Sequence, residues 1–183
     1  MFSRYRFSSS QYGQDTILKY SEAIHELVVV IGTQLAESLG VSTENMGIEK
    51  WPCKFRINKY HFTPESVGSA DVQIHSDSGF LTILQDDEGV GGLEVIDKSG
   101  EFVWSNGRFH NVKHRVQCKE AKIRVTIASF LLGPRGMVEA PAELVDDEHP
   151  RLYVPTTYED YRKTMLSMSL QAGEALALLY TPK

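Results

Sequence analysis

Residues 73–84, QIHSDSGFLTIL, set a histidine and an aspartate two positions apart at the head of an apolar run. Along an extended strand, positions i and i+2 point to the same face. His75 and Asp77 therefore project together, about 7 Å apart at the backbone, which is a workable bite for one metal ion. Two ligands do not hold an ion tightly, so a third is needed. The other histidines are His25, His61, His110, His114 and His149. His114 is the best candidate, because it sits mid-strand in NVKHRVQ with Val112 and Val116 on its face. Taken alone, an imidazole on an apolar face is more often a hydrogen-bonded core residue than a metal ligand.

Two imidazoles and one carboxylate, with positions left open on the metal, form the facial set used by non-haem Fe(II) oxygenases. A closed structural zinc site needs four protein ligands, and no good fourth stands out. The segment KIRVTIASF adds a second element. Arg124 and Thr126 share a strand face, and the short polar turn KEA is expected to fold this strand back on NVKHRVQ, with Arg124 roughly across from His114. A buried guanidinium needs an anion. Its planar fork suits a carboxylate, and a neighbouring hydroxyl adds one more bond. The pair therefore fits a small dicarboxylate that reaches from anchor to metal. A surface acid such as Asp86 is an equally good partner for Arg124 on sequence grounds.

These side chains need a scaffold. Residues 15–39 carry Ile17, Tyr20, Ile24, Leu27, Val28, Ile31, Leu35 and Leu39 at three- and four-residue steps, the pattern of one amphipathic helix. Asp15 is its expected N-cap and Gly40 its C′ residue, and His25 falls on its polar face. From Trp51 the texture changes to strands. CKFRINKYHF alternates, VQIHSDSGFLTILQDD reads as two strands around a polar break, and EGVGGLEVIDKSGEFVW reads as a hairpin. After Pro134 comes an acidic, proline-rich loop, and then helical segments around TYEDYRKTMLSMSL and from Gly173. The order of helix, short antiparallel strands and helix predicts a mainly β jelly roll flanked by helices. Three segments are expected: a helical part over 1–50, a jelly-roll core over 51–135, and a C-terminal loop with helices over 136–183.

The 183 residues suit one ordinary domain, and 42% apolar content supports a core. A net charge of −5 argues against non-specific nucleic-acid binding. No run is long enough to span a membrane, and a cytoplasmic location is expected. Cys53 and Cys118 are far apart and in no metal or redox spacing, so both are expected to be reduced core residues. The opening MFSRYRFSSS is rich in Arg and Ser, yet too short for a targeting segment, and is read as an exposed start.

With these residues in place, the chain resembles the plant 2-oxoglutarate- and Fe(II)-dependent dioxygenases. The segments that carry the resemblance are FRINKYHF, HSDSGFLTILQDDEGVGGLEV, SNGRFHNVKHRV and RVTIASFLLGP, with their H-x-D…H, R-x-T and N-x-Y patterns. NKYHFTPESVGS, APAELVDDEHPRLYVPTTYEDYRK and AGEALAL are most similar to the auxin-oxidising branch. The resemblance implies a double-stranded β-helix. It implies Fe(II) on His75, Asp77 and His114. It also implies 2-oxoglutarate on Arg124 and Thr126, completed by Tyr60 and Asn58, with Thr126 replacing the usual serine. The implied reaction oxidises indole-3-acetic acid to 2-oxindole-3-acetic acid, with 2-oxoglutarate converted to succinate and CO₂ and ascorbate as reductant.

Two departures follow from the same resemblance. Family members carry a region upstream of the long helix that helps to form the substrate pocket, and this chain is expected to lack it. Between GEFV and WSNGRF, relatives carry roughly 15–20 further residues, about two strands with their turn, whereas here Val103 meets Trp104 directly. Losing a strand opens a sheet edge. The implied alternative to an active enzyme is therefore a shortened, catalytically impaired isoform that keeps only metal, ligand or partner binding.

Overall fold

The computed structural model describes residues 11–44, 46–86, 88–101 and 103–181. The opening MFSRYRFSSS lies outside them. Helix α1 spans Gln11–Ser38, so Asp15 sits within the helix and is not its N-cap. The C-terminus ends as the sequence predicts. Gly40, at φ 76°, donates to Glu37 O at 2.9 Å, and Val41 donates to Ala36 O at 3.2 Å. This pair of bonds is a Schellman motif and satisfies carbonyls that the helix leaves without partners.

Six strands follow: β1 (Cys53–His61), β2 (Ala70–His75), β3 (Leu81–Gln85), β4 (Leu93–Glu101), β5 (His110–Gln117) and β6 (Ile123–Leu131). They form two antiparallel sheets, ordered β1-β6-β3 and β2-β5-β4. A short β7–β8 ladder (Met137–Val138 with Thr156–Thr157) leads into α2 (Tyr158–Ser167) and α3 (Ala172–Ala177). Thr157 caps α2 by accepting the Asp160 N–H. The mainly β class with flanking helices is as predicted.

The first sheet is covered on both faces. On its outer face, Leu81, Ile83 and Leu131 pack with Val28 and Ala36 of α1 and with Ile48, Trp51, Trp104 and Leu144. The residues that lie deepest on α1 are Val28, Gly32 and Ala36. A Cβ on Gly32 would lie 3.5 Å from Ile48 and Phe80, so small residues let the helix approach the sheet closely. Leu27, part of the predicted apolar stripe, is exposed, whereas His25 is half-buried and not on an exposed polar face. The inner face meets the second sheet through a smaller cluster of Phe62, Val90, Val116 and Cys118, joined by Tyr60 and Val72.

Two expected hairpins are absent. Leu93–Glu101 is one strand, paired with β5 along its length through two bulges. Likewise β5 and β6 are not neighbours. Residues 118–122 carry the chain from one sheet to the other, because Cys118 is pinned to the turn before β2. Its N–H donates to Ser69 O at 3.0 Å, and its carbonyl accepts from Gly68 N at 2.9 Å. A short connector permits a hairpin but does not dictate one when each strand gains a longer ladder elsewhere. Cys118 is buried, but Cys53 is exposed, contrary to the expectation that both lie in the core; both are free.

Gly92, just before β4, lies against the end of β5 and the Arg124 side chain of the other sheet. At φ 148°, a Cβ there would lie 2.6 Å from Gln117 O and within 3.7 Å of the Arg124 side chain. Gly92→Ala is expected to lower unfolding stability by on the order of 2 kcal/mol, read as a drop in the urea midpoint at unchanged slope. An unchanged midpoint would show that this backbone can move aside freely.

Candidate metal and anion site

The ladder between β2 and β5 pairs His75 directly with His114, so both imidazoles leave the sheet on the face turned to the first sheet. Their ring centroids are 4.3 Å apart. In both rings Nδ1 lies near a carbonyl two residues earlier, Gln73 O at 2.9 Å for His75 and Val112 O at 3.3 Å for His114. A carbonyl can only accept, so this network assigns the proton to Nδ1 and leaves the Nε2 lone pair free. The two Nε2 atoms converge on one oxygen, Asp77 Oδ1, at 3.6 and 3.8 Å. The three ligand atoms lie within 4.8 Å of one another.

Asp77 reaches this point differently from the sequence expectation. Strand β2 ends at His75, and Asp77 lies in the loop that follows, so strand alternation does not orient it. Two neighbours do. Asn111, three residues before His114, donates from Nδ2 to the Asp77 carbonyl at 2.8 Å. Thr82 on β3 donates from Oγ1 to Asp77 Oδ2 at 2.7 Å. The second bond occupies one carboxylate oxygen and leaves Oδ1 toward the histidines. Sequence reading missed both residues. Thr82 was detectable as the hydroxyl in the apolar run FLTIL, five positions after Asp77. The donor set is chemically that of a divalent cation: two imidazole Nε2 atoms and one carboxylate, each side chain oriented by a further hydrogen bond.

The first sheet supplies the second half. The β1–β6 register sets Tyr60 opposite Arg124 and Asn58 opposite Thr126, so all four share the inner face. Arg124 is completely buried and Thr126 nearly so. The Arg124 guanidinium lies 5.0 Å from the Tyr60 ring centroid, a cation–π distance. Its Nη2 forms an ion pair with Asp86 Oδ1, the alternative partner that the sequence offers. This pairing uses only part of the fork, because Nε and Nη1 are buried without partners. Each such donor costs about 1–3 kcal/mol unless an acceptor arrives. Thr126 Oγ1 accepts from Asn58 Nδ2 at 3.2 Å, so its own proton is available to an anion and Asn58 acts on the site through Thr126. The orphaned donors and this oriented hydroxyl together fit a carboxylate.

The metal-facing side of the second sheet has an apolar border. Val95 pairs across the ladder with His114, and Val112 precedes His114 by two positions on the same face. They are 65% and 43% exposed, respectively.

Known proteins resemble this chain in sequence and in fold. Residues 51–133 match the profile of the 2OG-Fe(II) oxygenase superfamily. The chain is 49% identical over 195 positions to the 2-oxoglutarate-dependent dioxygenase DAO of Oryza sativa subsp. indica, covering 95% of this chain and 64% of the relative. The crystal structure of dioxygenase for auxin oxidation in rice superposes with a TM-score of 0.90 at 47% identity, covering 96% of this chain and 66% of that one. Dioxygenase for auxin oxidation 1 of Arabidopsis thaliana, in binary complex with 2-oxoglutarate, gives 0.71 at 51% identity, covering 78% and 61%. The fold shared with these structures is the double-stranded β-helix. This chain spans about two thirds or less of each relative's length. The 195 aligned positions also exceed its 183 residues, so at least 12 positions of the rice relative have no counterpart here.

Removing the supporting bond gives a graded test. His75→Ala should abolish tight Mn(II) binding in calorimetry, and Thr82→Val should weaken it by roughly 10–100-fold, the range for partners that orient metal ligands. Wild-type affinity in Thr82→Val would show that the hydroxyl does not position Asp77.

Proposed function

This chain belongs to the 2OG-Fe(II) oxygenase superfamily, and from that premise we propose that it is an Fe(II)- and 2-oxoglutarate-dependent dioxygenase of auxin. The observation that carries the reading is the convergence of His75, Asp77 and His114 within 4.8 Å. These three would hold Fe(II), which supplies the means to activate O₂. Arg124 and the Thr126 hydroxyl would bind the distal carboxylate of 2-oxoglutarate, with Tyr60 against the guanidinium and Asn58 holding Thr126. Burial of Arg124 keeps water from competing for that carboxylate and strengthens the charged hydrogen bonds. The prime substrate in this reading is indole-3-acetic acid, oxidised to 2-oxindole-3-acetic acid. Its aromatic part would lie on the Val95–Val112 border beside the ligands, and ascorbate would maintain the iron as Fe(II).

One observation favours a second reading. The large exposure of Val95 and Val112, next to a metal ligand, leaves the reaction side of the second sheet open to water. A chain that binds metal and 2-oxoglutarate yet turns over poorly would follow from this, since misplacement of about 1 Å costs a large rate factor.

The deciding assay measures succinate release with Fe(II), ascorbate and 2-oxoglutarate, with and without indole-3-acetic acid. The dioxygenase reading expects release that depends on the auxin, and Arg124→Ala should raise the 2-oxoglutarate requirement by roughly 30-fold or more. Metal binding without any release would leave the impaired isoform. An unchanged 2-oxoglutarate requirement in Arg124→Ala would remove the anchor role.

A further inference from the structure

The Arg124 guanidinium is already engaged at one corner. Its Nη2 holds the ion pair with Asp86, while Nε and Nη1 are buried without partners. A guanidinium grips a carboxylate along one of two edges, Nε with Nη2 or Nη1 with Nη2. Nη2 is common to both edges. The two free donors lie on different edges, so they cannot close together on one carboxylate. Asp86 therefore sits at the corner that any two-pronged grip must use.

Charge points the same way. Arg124 and Asp86 are neutral as a pair. A second carboxylate would put two anions on one buried cation, and like charges at that range repel strongly where water is scarce. One of the two acids has to give way. Arg124 has no exposed surface, whereas the Asp86 side chain is 33% exposed. Asp86 also follows directly on Gln85, the last residue of β3, and lies outside the ladder with β6. Rotation of its side chain carries the charge into water and leaves the strand pairing intact.

The placement also explains how the empty site is held. Strand β6 lies between β1 and β3, so Tyr60 from β1 and Asp86 from the end of β3 reach Arg124 from its two flanks. The Tyr60 ring centroid, 5.0 Å from the guanidinium, offsets part of the buried charge. Without a carboxylate the remainder would be very costly, and Asp86 supplies one from within the chain.

We propose that Asp86 is an internal stand-in for the ligand carboxylate, occupying Arg124 in the empty site and giving it up when a diacid arrives. The proposal rests on the reading of Arg124 as the 2-oxoglutarate anchor. Asp86 then tunes affinity: the diacid gains the guanidinium at the expense of a bond already made, and the same carboxylate recaptures Arg124 as the diacid leaves. Acids that lack a distal carboxylate do not enter this exchange.

Calorimetry of the Mn(II)-loaded full chain tests this with 2-oxoglutarate and with 2-oxopentanoate, which has the same carbon chain without the distal carboxylate. Asp86→Asn keeps the shape and removes the charge. It should tighten 2-oxoglutarate by roughly tenfold or more and leave 2-oxopentanoate within about twofold. The ligand-free variant should melt below the wild type, and 2-oxoglutarate should raise its Tm by more than it raises that of the wild type. If the variant does not fold alone, refolding in millimolar 2-oxoglutarate should restore its circular dichroism. Unchanged or weaker 2-oxoglutarate binding, equal tightening of both acids, or an unfolded variant that 2-oxoglutarate does not restore would each overturn the proposal. Arg124→Ala separates the two readings. If it leaves 2-oxoglutarate binding unchanged, the anchor reading falls and the stand-in role with it. If it weakens binding while Asp86→Asn does not tighten it, the stand-in role alone falls.

Discussion

The structure depends on the register between β2 and β5. His75 and His114 stand directly opposite one another, and a slip of one residue would turn one imidazole to the outer face. Several features hold that register. Val72 pairs with Val116 inside the smaller core, and the Cys118 backbone is tied to Gly68 and Ser69 at the end of the ladder. A bulge between Val72 and His75 absorbs the odd residue. Asn111, on the same strand as His114, then ties down the loop that carries Asp77. One strand therefore supplies a ligand and positions another.

The facing sheet answers with charge. Arg124 is buried in full, and its ion pair with half-exposed Asp86 leaves two buried donors unmet. Protein interiors rarely leave such donors orphaned, and a bound carboxylate would offset the cost. The close approach of Gly92 places the edge of the second sheet against this side chain. The Arg124–Thr126 pair and the His75–His114 pair thus come from different sheets, and their juxtaposition requires the sheets to face each other correctly.

Much of this was legible in the sequence because it rests on short-range rules. The i, i+2 spacing of Arg124 with Thr126 fixed their shared face, Asn58 and Tyr60 came from the family resemblance, and the β1–β6 ladder joins the two pairs. The spacing of His75 and Asp77 gave the right pair by an incomplete reason, since Asp77 leaves the strand and depends on Thr82 and Asn111. The β5–β6 hairpin failed because sheet choice is decided by ladders far apart in sequence, not by the polar turn between the strands. Cys53 and His25 were misplaced because exposure at a strand start and on a helix flank depends on neighbours that local pattern does not reveal.

The central claim is that the two halves form one site in this chain. Calorimetric titration of 2-oxoglutarate into metal-free and Mn(II)-loaded protein tests it most directly, because ligands that share a site must show coupled affinities. The account predicts that metal tightens 2-oxoglutarate binding at least tenfold. Equal affinity with and without metal would contradict it, placing the histidine cluster and the Arg124 anchor in separate sites.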